Sequence, residues 1–304
     1  MAKLFSILIP SWNNLSYLKV CIQSIRNNST YDHQIIVHVN EGKDGTLEWV
    51  KKEGLDYTYS ENNIGVCLSL NLARTKVSTD YICYINDDMY MLPRWDELFY
   101  NEIKKLNGNK LFFLSGSIIQ PHLLPPEGTG MIANYGEGLE NFKEKELLKD
   151  HNNLIIDDWY GATAPPNILH KDLWDLVGGY SIEFSPGMGS DPDFTCKLIM
   201  VGVTYLKGLG KMMAYHFGSK STTRIKRNKP GAQMLFKWEL PHSTVRIKFI
   251  RMGQAWKDTY LSKPDSKYLY LEGVRGKFKG IYYLIRSLWT KEKIYSIPMI
   301  KDLY

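Results

Sequence analysis

Hydrophobic positions repeat with two different periods over the first third of this chain. Short continuous apolar runs are typical of buried strands, whereas apolar residues three and four positions apart are typical of helices. The runs predict strands at residues 4–9, 34–39, 57–60 and 81–86. Helices are predicted between them from residue 16, over 46–52 and over 65–76, with Leu68, Leu72 and Cys67 facing inward in the last. This alternation predicts an α/β fold with a parallel sheet covered by helices.

The rest of the chain gives fewer signals of regular structure. Residues 111–158 are rich in Gly, Pro and polar residues, which predicts a long irregular loop with a function. A helix predicted over 171–177 is followed by Gly178-Gly179, which is typical of a helix end. Asp191 suits an N-cap and Pro192 a first turn, so a helix is predicted to continue through 194–201. Residues 232–240, 245–256 and 279–289 are also predicted to be helical.

A polar segment follows each of the four predicted strands, at residues 10–14, 40–45, 61–65 and 86–89. The carboxyl ends of parallel strands meet at one edge of a sheet, where ligands of such folds gather. We therefore expect these segments to form a single polar rim. The chain contains neither GxGxxG nor GxxxxGK[ST], which argues against a dinucleotide fingerprint and a P-loop.

Two adjacent carboxylates, Asp87 and Asp88, end the fourth apolar run. Buried carboxylates without a partner are costly, and magnesium or manganese ions bind carboxylate and phosphate oxygens. A solvated turn or a helix N-cap explains the same pair equally well. The two residues alone leave both interpretations open.

Length and composition are those of a soluble globular protein. With 304 residues, 44% of them hydrophobic and 23% charged, the chain can form one large domain or two smaller ones. The four cysteines lie far apart without a CxxC or Cys/His cluster, so we expect buried free thiols rather than a zinc site. The chain opens without a signal peptide, and no apolar stretch reaches the length of a transmembrane helix. We therefore expect a cytoplasmic protein.

The net charge of +6 is unevenly divided along the chain. Residues 1–218 contain 19 Lys and Arg against 26 Asp and Glu, a net charge of −7. Residues 219–304 contain 19 against 6, a net charge of +13. This asymmetry predicts an acidic folded domain followed by a basic, aromatic region. Basic surfaces attract phosphate groups on nucleotides, nucleic acids or anionic lipids, so the partner stays open.

Several motifs in order resemble the GT-A-type glycosyltransferases of family 2. The opening strand ends in Pro10-Ser11-Trp12-Asn13, and Asn86-Asp87-Asp88 resembles the DXD motif. The remaining matches are Asn40-Glu41-Gly42-Lys43-Asp44-Gly45-Thr46, Asn62-Asn63-Ile64-Gly65 with Asn71, and Gly178-Gly179-Tyr180 followed by Asp191-Pro192-Asp193-Phe194. The resemblance covers roughly residues 4–218. It departs from the family where Asn40-Glu41 replaces two aspartates, where one residue is missing from that turn, and where Ser190-Asp191 stands for Glu-Asp.

The resemblance implies a GT-A, Rossmann-like catalytic domain over residues 1–218. Residues 1–100 would bind the nucleotide sugar, residues 101–218 the acceptor, and residues 219–304 would form a basic, mainly helical extension. The implied activity is transfer of a hexose from a nucleoside-diphosphate donor, with UDP favoured, to a glycan or lipid-linked acceptor in polysaccharide biosynthesis. Family members of this kind use Mn²⁺ or Mg²⁺ and invert the sugar with an aspartate base.

The resemblance also implies roles for individual residues. Donor contacts are expected from Pro10, Ser11, Trp12, Glu41, Asn63, Asp87 and Asp88, and metal contacts from Asp88 and His216. Lys220 and Arg224 are candidates for the diphosphate, whereas Arg74 better fits a solvated surface. Asp191 is the expected catalytic base, with Asp193 and Trp159 on the acceptor side. Some of these assignments have alternatives. Asp191 also suits an N-cap, and Asp193 rather than Asp191 could face the acceptor. Trp12 and His216 could be core residues.

Other functions compete with the enzyme. The basic C-terminal region could bind nucleic acid or another anionic surface without catalysis, although its charges are dispersed and no nucleic acid is expected. Residues 277–289 are basic and aromatic, as in a helix at an anionic membrane surface, but could equally pack on the catalytic domain. A non-catalytic carbohydrate-binding protein would leave the acidic strand ends unexplained. The oligomeric state is open.

Overall fold

A computed structural model of the protein describes residues 2–122, 128–218, 228–257, 259–262 and 265–290. Within these ranges one sheet contains the strands β1 (Phe5–Trp12), β2 (Gln34–Asn40), β3 (Asp56–Ser60), β4 (Tyr81–Tyr84), β5 (Met89–Met91), β6 (Phe112–Gln120), β7 (Gly130–Ile132), β8 (Trp159–Tyr160), β9 (Asn167–His170) and β10 (Tyr205–His216). The helices are α1 (Leu15–Asn28), α2 (Thr46–Lys52), α3 (Gly65–Arg74), α4 (Trp95–Lys105), α5 (Glu144–Asp150), α6 (Lys171–Leu176), α7 (Ser190–Met200), α8 (Pro230–Trp238), α9 (His242–Thr244) and α10 (Ser266–Thr290). Single 3₁₀ turns lie at Leu139–Asn141, His151–Asn153 and Ile182–Phe184, and α9 continues into a π-helical turn at Val245–Phe249.

The strand order is β3-β2-β1-β4-β9-β6-β10-β5, with β7 beside β6 and β8 beside β10. The first four strands are mutually parallel, as are β6 and β10, whereas β9 and β5 run antiparallel to their neighbours. Helices cover both faces, with α1 and α4 on one side and α3, α6 and α7 on the other. The predicted α/β fold with a mostly parallel central sheet is therefore confirmed.

Strand β1 is longer than predicted. The sequence suggested an end at residue 9, before Pro10, but β1 pairs with β2 up to Trp12 and Asn40. Leu8 and Pro10 are two residues apart, so their backbone groups face the same neighbouring strand, β4. The Leu8 carbonyl already accepts from the amide of Ile85, which follows the last residue of β4. The missing N–H of Pro10 thus faces a side where the ladder has already ended, so no ladder bond is lost.

Three other expectations are wrong. Residues 111–158 are not one irregular loop, because they contain the buried nine-residue strand β6 and the helix α5. Residues 245–256 do not form one helix, because only the short helical segment ending at Phe249 forms there. Leu72 is exposed on α3; Cys67 is buried on that helix as expected, and Leu70 and Ala73 are buried beside it.

The four cysteines are free and buried, as expected. In the C-terminal region α8 and α10 pack on each other, and α10 is the longest helix of the described chain. Among the helices of the described ranges, none combines the length and the apolar character needed to cross a membrane.

A buried ion pair links α4 to β10. The Lys207 ammonium lies 2.8 Å from Glu102 Oε1 and 2.9 Å from Asp158 Oδ2. Burial would raise the pKa of Glu102, but hydrogen bonds from Lys105, Lys207 and Tyr205 lower it from 4.5 to about 2. Since the folded-state pKa is depressed, this carboxylate stabilises the fold above its ordinary pKa and loses that contribution as the pH falls toward 2.

We predict that Lys207→Met lowers the free energy of unfolding by about 3 kcal/mol, because it leaves a buried carboxylate without its buried cation. Lys105 is the matched control, since it binds the other oxygen of the same Glu102 at 2.7 Å from an exposed position. Lys105→Met should cost less than about 1 kcal/mol. Urea denaturation of both variants measures the two values, and equal losses would contradict the prediction.

Candidate functional site

The two aspartates that follow β4 are buried, with 5% of Asp87 and 4% of Asp88 exposed. The interpretation of the pair as a solvated turn is therefore wrong. The Ser11 hydroxyl at the end of β1 donates a 2.7 Å hydrogen bond to Asp87 Oδ2. The backbone carbonyl of Asp88 accepts from the amide of Phe217, which follows β10. Segments after three strands thus meet at the predicted edge of the sheet.

His216 is brought to the same edge by the antiparallel pairing of β10 with β5. The register places His216 opposite Met89, the residue after Asp88. Its Nε2 atom lies 3.2 Å from Asp88 Oδ1, and its Nδ1 atom lies 2.8 Å from the side-chain amide of Gln120. Burial would lower the pKa of His216, but the charges of Asp88 and Asp87 outweigh it and the pKa is raised. The structure therefore brings the two predicted metal contacts, Asp88 and His216, next to each other.

A cleft beside the aspartates contains most of the predicted donor residues. Its lining consists of Pro10, Ser11, Trp12, Asn40, Asn63, Gly65, Val66, Asp87 and Pro186. Asn63 caps the first turn of α3 by accepting from the Gly65 amide at 2.9 Å. Pro186 closes the cleft from the second half of the chain, because its carbonyl accepts from the Val66 amide at 2.9 Å.

Asn40 is a cleft residue that the sequence reasoning did not single out. Its Oδ1 accepts from the Ile64 amide at 3.0 Å, and its Nδ2 donates to Ser69 at 3.0 Å. It therefore holds the start of α3 against the end of β2. The sequence did contain a signal for Asn40, because this residue opens the turn that resembles the family's Asp-Asp-Gly motif.

Glu41 lies next to this lining rather than in it. Its carboxylate is 3.2 Å from the Lys43 ammonium and accepts a 3.1 Å hydrogen bond from Asn13. The Lys43 contact is the largest influence and lowers the pKa of Glu41. The carboxylate is thus ionised and fixed at the rim of the cleft.

Asp191 does not cap α7, contrary to the prediction. The N-cap is Gly189 in the left-handed conformation, with a φ of 84°, and Asp191 follows in the first turn. Asp191 is half-buried and accepts a hydrogen bond of 3.2 Å from the Tyr180 hydroxyl. Burial raises the pKa of Asp191 from 3.8 to about 7, and the Tyr180 bond opposes this rise. The carboxyl group therefore exchanges its proton near neutral pH.

Asn71 fixes the position of Tyr180. Its side chain donates to the Tyr180 carbonyl at 2.8 Å and accepts from the Tyr180 amide at 2.9 Å. Gly179 makes this approach possible, because a Cβ atom there would lie 2.2 Å from Asn71 Oδ1. The Tyr180 ring also stacks on Phe194 at 4.4 Å. The Gly-Gly-Tyr motif thus serves to aim one hydroxyl at Asp191.

Tyr84 connects the strand before Asp87 and Asp88 with the partner of Asp191, because its ring packs against Tyr180. It is buried at the end of β4, and its ring lies edge-on to Tyr180 at 6.0 Å. Burial raises the pKa of its hydroxyl well above the ordinary value, and the charges of Asp191, Asp88 and Asp87 raise it further.

The remaining predicted residues lie elsewhere. Asp193 is fully buried, where its Oδ1 accepts from Trp238 at 2.8 Å and lies 2.9 Å from the Lys237 ammonium. Trp159 is buried over Gly208 and donates to the Ser117 hydroxyl at 2.9 Å. Arg74 forms an ion pair with Asp175, as expected for a surface residue. Lys220 and Arg224 lie outside the described residues.

The two predicted metal contacts, Asp88 and His216, lie side by side, but other metal ligands are not gathered around them among the described residues. No group of three or more His, Cys, Asp or Glu side chains within them could hold a metal ion. Asp88 and His216 nevertheless place a carboxylate oxygen and an imidazole nitrogen 3.2 Å apart, and both side chains are buried. Oxygen and imidazole donors suit Mn²⁺, and the donor set would need completion by substrate oxygens.

We predict that Asp88→Asn lowers the pKa of His216. Burial, the largest single influence, lowers this pKa, and the substitution removes the negative charge of Asp88 that opposes it. His38 is the control, since burial among other partners lowers its pKa to about 4 and its titration should not change. NMR titration of the imidazole C–H signals in metal-free protein measures both. An unchanged His216 pKa in the variant would contradict the contact with Asp88.

Comparison with known proteins agrees with this geometry. Residues 6–110 match the family model for glycosyl transferase family 2. A curated relative, the cholesterol galactosyltransferase of Borreliella burgdorferi, is 25% identical over 183 residues, which are 57% of this chain and 47% of the relative. The chain thus spans about half the length of that relative.

Solved structures share the fold. Crystal structures of residues 1–349 of S. aureus TarS, alone and in complex with UDP, have TM-scores of 0.52 with 14% and 16% identity. Each alignment covers 70% of this chain and 60% of the TarS chain. This likeness confirms the predicted GT-A fold, and the match of residues 6–110 to the glycosyl transferase family 2 model is in line with the resemblance seen in the sequence.

Proposed function

We propose that this protein transfers a hexose from a UDP-sugar to a hydroxyl group of a glycan or lipid-linked acceptor, with inversion at the sugar carbon. The observation that carries the proposal is the arrangement of three carboxylates near the cleft that contains Ser11 and Trp12. Asp87 and Asp88 follow β4, and Tyr180, which binds Asp191, packs edge-on against Tyr84 of the same strand. Such a cluster of carboxylates suits a reaction that needs both a bound diphosphate and a base.

The cleft supports binding of the donor nucleoside. Trp12 and Pro10 supply apolar surface for a base, and Asn40 and Asn63 supply amide groups. Asp87 also lines the cleft, where the Ser11 hydroxyl holds its carboxylate, and we assign it to the ribose or the sugar. UDP is the favoured nucleotide, since TarS of the same fold has been crystallised with UDP.

Asp88 and His216 are the residues that would hold a divalent cation. Bound Mn²⁺ or Mg²⁺ would supply positive charge against the diphosphate as it leaves the sugar. For this role the Nδ1 atom of His216 must carry the imidazole proton. The Gln120 side-chain nitrogen faces Nδ1 at 2.8 Å, so metal binding would require the Gln120 amide to turn its oxygen toward that proton. The protein then contributes an imidazole lone pair and a carboxylate, both already buried and oriented.

Asp191 is the proposed base. Its carboxylate accepts the proton of the acceptor hydroxyl while that oxygen forms a bond to the sugar carbon and the bond to the diphosphate breaks. A base is most effective when its pKa lies near the working pH, and the pKa of Asp191 is about 7. Asp193 is fully buried against Lys237, so we assign it a structural role.

We predict that UDP with Mn²⁺ stabilises the protein by about 2.7 kcal/mol at a hundredfold excess over its Kd, and that Asp88→Asn removes the part that depends on Mn²⁺. Asp80 is the matched control, because it is exposed at the opposite end of the same β4 strand. Asp80→Asn should behave as the wild type does. Thermal unfolding with UDP, with Mn²⁺ and with both measures the effect, and equal stabilisation of Asp88→Asn would exclude the metal role.

We further predict that Asp191→Asn reduces transfer by a factor on the order of 10²–10⁴ while UDP binding is retained. In the wild type, kcat/KM should fall tenfold per pH unit below about 7, because the base must be deprotonated. Transfer of radiolabelled hexose gives the rate, and calorimetry gives the UDP affinity. Loss of UDP binding in Asp191→Asn would instead indicate a structural role.

Tyr180 offers a finer test of the same base. Tyr180→Phe removes the hydrogen bond that lowers the pKa of Asp191, so the acidic limb of kcat/KM should move to higher pH. Tyr90→Phe is the control, since its hydroxyl binds the distant carboxylate of Glu144 at 2.7 Å. A limb that stays in place in Tyr180→Phe would show that another group controls the pH dependence.

A further inference from the structure

Helix α10 presents an apolar stripe to solvent. Successive residues of an α-helix are rotated by about 100°, so positions seven apart share a face. Six side chains along one such face are each more than half exposed, namely Leu271, Phe278, Ile281, Tyr282, Ile285 and Trp289. An amphipathic helix of a globular protein ordinarily turns this kind of face toward the core. In α10 the apolar stripe points outward instead.

The opposite face of α10 is fixed against α8 by glycines. A Cβ atom at Gly276 would lie 2.6 Å from the Glu239 carbonyl and 3.0 Å from a methyl group of Leu235. At Gly280 a Cβ atom would contact Leu235 at 3.8 Å. The backbone of α10 at these glycines therefore packs closely against α8. This packing determines which face of α10 is left exposed.

Basic residues border the apolar stripe on both sides. Lys277 lies at one border and Arg275, Lys279 and Arg286 lie at the other, by their positions along the helix. Glu272 is the acidic residue of the 266–290 segment, and it lies on the protein side, where its carboxylate accepts a 2.6 Å hydrogen bond from Thr244. The outward surface of α10 thus combines apolar, aromatic and positively charged side chains.

We propose that α10 docks the protein on an anionic membrane surface, with its axis in the membrane plane. Apolar side chains bordered by lysine and arginine match the boundary between acyl chains and anionic headgroups. Tyr282 and Trp289 are of the types that favour this boundary. A second copy of the chain fits less well, because two such faces in contact would bring their basic borders together.

The docked helix is connected to the proposed acceptor side. Lys237 and Trp238 of α8, on which α10 packs, both contact Asp193 in the first turn of α7. Asp191 lies in that same turn. Docking through α10 would therefore hold the proposed base near the membrane, which favours a lipid-linked acceptor; this last step rests on the proposed function.

Vesicle binding tests the docking without donor or acceptor, so its outcome is separate from that of the proposed transfer. The full chain is floated with vesicles of phosphatidylcholine alone or mixed with phosphatidylglycerol, at low and high salt. We expect binding to the mixed vesicles that salt weakens. Phe278→Ser should reduce the partition coefficient by a factor on the order of ten. Lys277→Gln and Lys279→Gln should each reduce it about fivefold.

Two variants away from α10 serve as controls. Leu176→Ser removes a similarly exposed apolar side chain on α6, and Lys211→Gln removes an exposed charge on β10. Both should bind vesicles as the wild type does. Circular dichroism melting of every variant confirms an unchanged fold, as expected for exposed positions.

Three results would overturn the proposal. The first is equal binding of Phe278→Ser and the wild type to the mixed vesicles. The second is absence of vesicle binding together with a dimer, seen by light scattering, that Phe278→Ser converts to a monomer. The third is absence of vesicle binding together with salt-sensitive binding of a random DNA duplex that the lysine variants lose.

Discussion

Burial of negative charge at the carboxyl edge of the sheet is the constraint on which this structure depends. Asp87 and Asp88 are buried and Asp191 is half-buried, and unpaired carboxylates in such surroundings are costly. Each is held by a different device. A serine hydroxyl donates to Asp87, an imidazole faces Asp88, and a tyrosine hydroxyl donates to Asp191. The fold has to bring these three groups from distant parts of the chain.

The topology satisfies that requirement through β10 and α3. Antiparallel pairing of β10 with β5 returns the chain to the aspartates and places His216 beside Asp88. The two residues are far apart in the sequence, so no local motif could predict this contact. The side chain of Asn71 on α3 forms two hydrogen bonds with the backbone of Tyr180. At the start of α3, the Val66 amide donates a hydrogen bond to the Pro186 carbonyl. The two halves of the domain are thereby locked together at the place where a donor and an acceptor would have to meet.

The periodic part of this arrangement could be predicted from the sequence, and the part that depends on packing could not. Strand ends in a parallel sheet share an edge whatever their side chains, so Ser11, Asn63 and Asp87 were expected together and line one cleft. The long strand β6 was missed because glycine and serine interrupt its apolar pattern, although tertiary burial tolerates them. Asp191 was taken for a cap because its residue type fits one, yet Gly189 with its positive φ takes that place.

The turn that contains Asp191 and Asp193 shows why residue type alone could not divide their roles. Two positions apart on a helix, side chains point to nearly opposite sides. One carboxylate meets a neutral tyrosine hydroxyl, and its pKa of about 7 leaves it able to accept a proton. The other meets the ammonium of Lys237 and the indole of Trp238, so it ties α7 to α8 and through α8 to α10. A single helical turn thus joins the chemistry proposed for the cleft to the surface on which the protein would be held.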